Sequence, residues 1–288
     1  IEAGFDVGLV LRESIDWRKE LESQARDLHG RLAASGKRDF LVVGHSNGGL
    51  VARRAAQLSA AAGDSLVRGV VTIATGHAGV PLATVGRTVV HDFLATQLRA
   101  VVDRIDGSCW RGQFTWLCDI ANLGAAELPS QVATFALDAA VPMSRDVQPG
   151  SAFLTRLAAT PESFRRYSIE VSSQGQWKFL RLLGDWRCDP DQSCGGNRLQ
   201  NMMESAYEIL RVCGSNTIMR ARLGHVSDKC RNARWTLSSL NAQYERWTAP
   251  GAFESDGLVP LKSQAYPGAF GRLTRKNTRD SHASELKS

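Results

Sequence analysis

Several features that would place this chain in a special class are missing from its 288 residues. No stretch approaches the roughly 18 consecutive apolar residues of a membrane-spanning helix, so the sequence predicts no transmembrane segment. No stretch interleaves basic and aromatic residues as a strand-binding platform does, so the net charge of +6 indicates a solvated surface and no nucleic-acid partner. The densest basic stretch, residues 272–279, is expected to be surface or tail. With 43% hydrophobic and 22% charged residues, the composition is that of an ordinary globular protein.

The six cysteines contain no C-x-x-C pair, and no His or Cys cluster has zinc spacing. We therefore expect no metal and no cofactor. An even number of cysteines favours disulfides in a secreted or periplasmic protein, and reduced buried thiols are the alternative. The simplest pairing by proximity, one of 15 connectivities, is Cys109–Cys118, Cys188–Cys194 and Cys213–Cys230.

Apolar runs and helical periodicity alternate along the first 75 residues, which predicts an α/β fold with a parallel sheet and crossover helices. The Ala-rich helix Asn47–Ala62 is expected to carry two exposed arginines, Arg53 and Arg54, and to close at Gly63. The predicted strands are residues 5–11, 40–43, 69–74 and 167–171, and the other well-defined helix is residues 17–34.

Residues Gly44 to Gly48 fit the pattern G-x-S-x-G between a predicted strand and a predicted helix, which is the setting of a nucleophile elbow. Such a turn holds Ser46 in a strained backbone conformation above the sheet, and small residues at Gly44 and Gly48 let strand and helix approach closely. It also aims the backbone N–H of Asn47 at a developing oxyanion. The alternative is a glycine-rich turn with an incidental serine.

A nucleophilic serine needs a histidine base, and that histidine needs a carboxylate to orient it. His282 lies in a polar loop beyond the last predicted strand and is favoured over His225. His77 follows a strand and would either line the pocket or serve the structure of its loop. Asp256 precedes Gly257 in a tight turn at a sheet edge and is the candidate acid.

Segments along most of the chain resemble lipases of the α/β-hydrolase superfamily. LVVGHSNGGLVAR resembles their nucleophile elbow, and VVTIATGHAGVPLA (residues 70–83) resembles the strand and turn that follow the elbow helix, with Gly76 in place of the usual proline. DVQPGSAFLTRL (146–157), SDGLVPLKSQ (255–264) and DSHASEL (280–286) resemble the segment returning from the lid, the acid turn and the histidine turn.

The resemblance implies a mainly parallel central sheet with helices on both faces, in a single α/β-hydrolase domain over residues 1–288. Cap insertions are expected at about 84–150 and 175–250. The family usually has further strands before residues 5–11, so the first strands are expected to be missing here. The second oxyanion donor, which the family carries on a loop after an early strand, is expected not to be in this chain.

The implied activity is that of a serine carboxylic-ester hydrolase of lipase or esterase type, with Ser46, His282 and Asp256 as the triad and Asn47 as oxyanion donor. The expected partner is a lipid or other hydrophobic ester, with transient contact to a lipid interface. Inositol deacylases that act on lipid anchors and acyltransferases share this elbow and are alternatives within the enzyme class. The alternative from another class is a non-catalytic binding protein on the hydrolase fold.

Overall fold

The described residues form a four-stranded, fully parallel sheet with its strands in sequential order. The structure, a computed structural model, describes residues 15–16, 18–85, 142–173, 242–248 and 254–277. The predicted strand 5–11, all six cysteines, His225, His282 and most of both predicted cap insertions lie outside the described residues. The strands are β1 (Phe40–His45), β2 (Val67–Ile73), β3 (Arg165–Ser173) and β4 (Gly271–Asn277).

Helices connect and flank these strands, and the two longest closely match the predicted segments. The predicted bounds of Asn47–Ala62 are confirmed at both ends, because Ser46 forms the entering turn and Gly63 closes the helix in the left-handed region at φ 70°. The helices are α1 (Leu21–Ala34), α2 (Asn47–Ala62), a 3₁₀ turn (Pro81–Thr84), α3 (Pro142–Asp146), α4 (Ala152–Ala159), α5 (residues 242–248) and α6 (Leu261–Gln264).

Helix α1 begins four residues later than the sequence predicts, at Leu21. Its capping residue Glu20 makes no side-chain capping bond, and the Leu21 N–H instead donates to Asp146 Oδ2 at 2.7 Å. A carboxylate at a helix N-terminus satisfies an unpaired N–H and complements the helix dipole. The cap comes from α3, far away in sequence, so no local pattern could have marked this boundary.

Helices α1 and α2 pack together on the face of the sheet that carries Phe40 and Val42. The opposite face carries Leu41, Val43 and Leu273, which are 46%, 59% and 61% exposed. The buried cluster on the helix-covered face is formed by Leu32, Ala52, Ala56, Leu66, Val67, Val70, Phe164 and Tyr266.

The prediction that Arg53 and Arg54 are exposed is wrong. Arg53 is 3% exposed and its guanidinium pairs with Glu162, in the segment that follows α4. Arg54 is largely buried and its Nε donates to Glu22 of α1 at 2.8 Å. Both partners lie on other elements, so the composition of the helix alone could not reveal them.

The basic stretch expected as surface or tail is a strand over residues 271–277, and its described side chains from Arg272 to Arg275 are exposed. Arg272 donates from Nε and Nη2 to the buried carboxylate of Glu170 on β3, at 2.6 and 2.9 Å. This pairing raises the pKa of Arg272 through hydrogen bonds and charge attraction. Within the ranges that the structure describes, no helix combines the length and the apolarity needed to cross a bilayer.

Candidate active site

Ser46 occupies the sharp turn between β1 and α2, where the sequence predicts a nucleophile elbow. Its backbone angles are φ 54° and ψ −129°, a region that costs a residue with a side chain about 1–3 kcal/mol. Two backbone hydrogen bonds support the turn: Ser46 N–H donates to the Ile73 carbonyl at 2.9 Å, and Gly49 N–H donates to the Ser46 carbonyl at 3.0 Å. The strained conformation that the elbow requires is therefore present.

At two positions around Ser46 the packing leaves no room for a side chain, so glycine is required there. The sequence predicts only one of these two positions correctly. A Cβ at Gly44 would overlap the backbone of Gly48, with the carbonyl carbon at 2.5 Å, so the requirement at Gly44 is confirmed. A Cβ at Gly48 would meet only the Ile15 side chain at 3.6 Å, an ordinary contact, so the predicted requirement there is wrong. The second constrained position is Gly49, whose Cβ would overlap the side chain of Thr75. The pattern G-x-S-x-G does not contain this position.

Asn47 is the first residue of α2, so its N–H is one of those that have no partner within a helix. Its side chain lies against α3, with Nδ2 at 3.4 Å from the sulfur of Met143. Helix α3 thus brings a buried apolar side chain next to the elbow. The positive end of the α2 dipole faces the same region.

Asp256 lies in the turn over residues 255–260, which the bridge between Ser255 and Pro260 closes. The residue is 1% exposed. Its Oδ1 accepts from the N–H groups of Leu258 at 2.8 Å and Val259 at 2.7 Å. Two N–H donors on one oxygen hold the carboxylate in a defined position within the turn. The predicted tight turn is therefore present, and the carboxylate is fixed within it.

The loop over residues 74–80, which follows β2, lies between the elbow and the acid turn. Its Thr75 packs against Gly49 of the elbow helix. Its Gly76 approaches Val259 of the acid turn, and Ala78 N–H donates to the Ser263 carbonyl at 3.2 Å. Both turns thus flank one loop at the carboxyl ends of parallel strands, where open α/β sheets bind ligands. His282 is outside the described residues, so its approach to this place stays a prediction.

His77 is buried in that same loop, which favours the structural one of its two predicted roles. Arg53 can only donate, so its contact of 3.4 Å makes Nδ1 of His77 the acceptor and leaves Nε2–H to donate to Thr72 Oγ1 at 3.1 Å. The imidazole stacks on Tyr266 with ring centroids 4.3 Å apart. Burial lowers the pKa of His77 well below its ordinary value, and the charge of Arg53 lowers it further.

The sequence does not predict a buried ion-pair network that joins α2 to the segment before β3. The Glu162 carboxylate accepts from Arg53, from Gln57 Nε2 at 2.9 Å and from Arg166 Nη1 at 3.2 Å. The Glu162 carboxylate thus links α2 to the start of β3. One signal was available: helical spacing places Arg53 four residues after Gly49, on a face of α2 that is buried.

The described residues hold no group of three or more His, Cys, Asp or Glu side chains that could bind a metal. The chemistry that this part of the structure offers is that of a strained serine, helix-terminal N–H groups and a fixed carboxylate. None of these needs a cofactor.

Comparison with known families finds that the PGAP1-like alpha/beta domain matches residues 22–100, which run from α1 through the elbow and β2. The described residues confirm the predicted α/β class with a parallel sheet and connecting helices. The family match agrees with the predicted resemblance over the segment that it covers. A comparison with curated protein sequences finds no match.

Among solved structures, the mature form of lipase BlEst2 from Bacillus licheniformis is similar at 14% identity and a TM-score of 0.41, over 94% of this chain and 72% of that one. Its propeptide form is 16% identical with a TM-score of 0.40, over 93% of this chain and 38% of that one. Lipase 1 from Pelosinus fermentans is 16% identical with a TM-score of 0.35, over 85% and 66%. At these TM-scores the likeness carries no weight for substrate or mechanism.

Proposed function

We propose that the protein is a serine carboxylic-ester hydrolase of lipase or esterase type. The observation that carries the proposal is the conformation of Ser46, which sits at φ 54° between the end of a parallel strand and the start of a helix. A serine gains nothing structurally from a strained turn of this kind, whereas a nucleophile gains an exposed hydroxyl beside helix N–H groups. The match to the PGAP1-like alpha/beta domain covers this segment and supports a hydrolase.

The proposed mechanism uses Ser46, His282 and Asp256. Ser46 Oγ attacks the acyl carbonyl while His282 takes its proton, and the same histidine then gives that proton to the departing alcohol. Asp256 orients His282 and stabilises its positive charge. The Asn47 N–H donates to the oxyanion. Water, activated by His282, hydrolyses the acyl-enzyme, releases the acid and restores Ser46.

We assign a hydrophobic acyl chain to the substrate. The buried Met143 beside Asn47 supports this, because it places an apolar side chain next to the proposed oxyanion donor. The cap insertions at about 84–150 and 175–250 would cover the site within a single hydrolase domain and contact a lipid interface transiently. Secretion or periplasmic export, with disulfides in the caps, rests on the even number of cysteines.

Hydrolysis of p-nitrophenyl esters of increasing acyl length tests the proposal. Ser46→Ala and His282→Ala are expected to lower kcat by about 10⁴-fold or more, while His225→Ala leaves it unchanged. Ser65→Ala is the matched control, because Ser65 also has a positive φ, of 51°, but is exposed in the turn before β2.

Two results would redirect or overturn the assignment. Transfer of the acyl group to an added alcohol in preference to water would identify an acyltransferase. Absence of Ser46-dependent turnover in folded protein would contradict an enzyme and favour the non-catalytic binding protein.

A further inference from the structure

The side chain of Gln264, at the end of α6, is 1% exposed and binds the carboxyl end of β3. Its Oε1 accepts from Val171 N–H at 2.7 Å, and its Nε2 donates to the Val171 carbonyl at 2.9 Å. The amide therefore exchanges two hydrogen bonds with one residue, as a neighbouring strand residue would. Two bonds to one backbone unit fix both the position and the orientation of the amide plane.

The same Nε2 reaches the acid turn. It lies 3.0 Å from the Val259 carbonyl and 3.2 Å from Asp256 Oδ2. Two amide hydrogens serve three acceptors, so they are shared in a three-centre arrangement. Backbone N–H groups of the turn hold Oδ1 of Asp256, whereas Gln264 holds Oδ2 and ties it to β3.

Such a tie has a physical purpose, because the acid turn and the end of β3 are distant in sequence and must be held together by contacts in the fold. Residues 174–254 separate the end of β3 from the start of the turn. A carboxylate that orients a histidine must keep its place to within a fraction of an ångström, since a displacement of about 1 Å can cost about 10²-fold in rate.

We infer that Gln264 is a positioning residue that sets the Asp256 carboxylate relative to the end of β3. This inference rests on the proposed function, in which Asp256 orients His282. The amide is suited to the task because it offers an acceptor to Val171 N–H and donors to three oxygens. Glutamate would instead place a carboxylate oxygen against the Asp256 carboxylate and two carbonyls, and methionine would offer neither a donor nor a comparable acceptor.

The test is a double-mutant cycle on the intact protein, read as kcat and KM for a p-nitrophenyl ester. Gln264→Met is expected to lower kcat by about 10- to 100-fold with KM unchanged, because the displaced carboxylate acts on the base and not on substrate binding. In an Asp256→Ala background the same substitution is expected to lower kcat no further. A merely structural role would lower kcat by the same factor in both backgrounds.

Gln57→Met is the matched control. Gln57 is also 1% exposed and donates to the Leu157 carbonyl at 2.8 Å and to a carboxylate, that of Glu162, at 2.9 Å. Both substitutions remove a buried amide, so both are expected to reduce the midpoint of urea unfolding. Only Gln264→Met is expected to lower kcat per folded molecule. Gln264→Glu keeps the size of the side chain and serves as the second variant, with the same expected loss, if Gln264→Met does not fold.

Three outcomes would overturn the inference. Equal kcat losses in Gln57→Met and Gln264→Met, or the same loss in the Asp256→Ala background, would make Gln264 a purely structural residue. Normal kcat in a Gln264 variant, together with Ser46- and Asp256-dependent hydrolysis, would refute the positioning role alone. Absence of Ser46-dependent hydrolysis in the unsubstituted protein would refute the proposed function and this role with it.

Discussion

Acid should destabilise the protein through His77. The side chain is 7% exposed, and its Nδ1 accepts from Arg53 while its Nε2–H faces Thr72. Burial disfavours the charged imidazole, and protonation would also place a second positive charge beside the guanidinium of Arg53. Both causes hold the pKa of His77 well below its ordinary value. The unfolded chain, with a histidine pKa of about 6.5, therefore binds one more proton at acidic pH.

The sign and the size of the effect follow from this difference. A depressed folded-state pKa contributes stability that is complete above about pH 6.5 and is lost as the pH falls. The limiting slope is about 1.4 kcal/mol per pH unit, so the loss between pH 7 and pH 5 can reach about 2 kcal/mol. Urea unfolding followed by circular dichroism at the two pH values measures this loss.

His77→Gln supplies the comparison, because glutamine can also accept from Arg53 and donate to Thr72 but does not titrate. Between pH 7 and pH 5, the free energy of unfolding of His77→Gln should fall less than that of the unsubstituted protein, by a difference of up to about 2 kcal/mol. Identical pH dependences in the two proteins would refute the reasoning, because they would mean that His77 takes up its proton without unfolding.

The other predictions concern the buried pair and the elbow. Glu162→Gln should lower the free energy of unfolding by about 3–5 kcal/mol, because it leaves the charge of Arg53 buried with weakened compensation; a loss below about 1 kcal/mol in urea unfolding would contradict this. Gly49→Ala should reduce the thermal midpoint and the soluble yield, because its Cβ would overlap Thr75, whereas Gly48→Ala should change neither. Equal behaviour of the two alanine variants would speak against the packing described for the elbow.

The parts of the fold that the sequence predicts well are those with local causes. Helix α2 is bounded by a strained serine and by a glycine at φ 70°, Gly63, and both signals lie within the segment itself. Strands β1 and β2 contain short apolar runs, which is how strands of a parallel sheet appear in a sequence. β4 has no such run, because its side chains from Arg272 to Arg275 are exposed and its pairing with β3 depends on backbone bonds and on Glu170.

In the candidate site, too, features with local causes could be predicted and features that depend on distant partners could not. The elbow around Ser46 and the turn around Asp256 are local, and both could be located from glycine spacing. The burial of Arg53 and the tie from Gln264 to Val171 depend on partners about 90 to 110 residues away in sequence. A single sequence does not indicate which distant side chains come into contact. The sequence therefore places Arg53 in a helix and Gln264 in a motif, but it does not predict their partners.

The central claim is that Ser46 is an activated nucleophile, and covalent labelling tests it most directly. Incubation of the folded protein with a fluorophosphonate, followed by mass mapping of its peptides, should place one phosphonyl group on Ser46. The adduct should disappear in Ser46→Ala and persist in the control Ser65→Ala. No adduct on folded protein, or an adduct on another serine, would contradict the account.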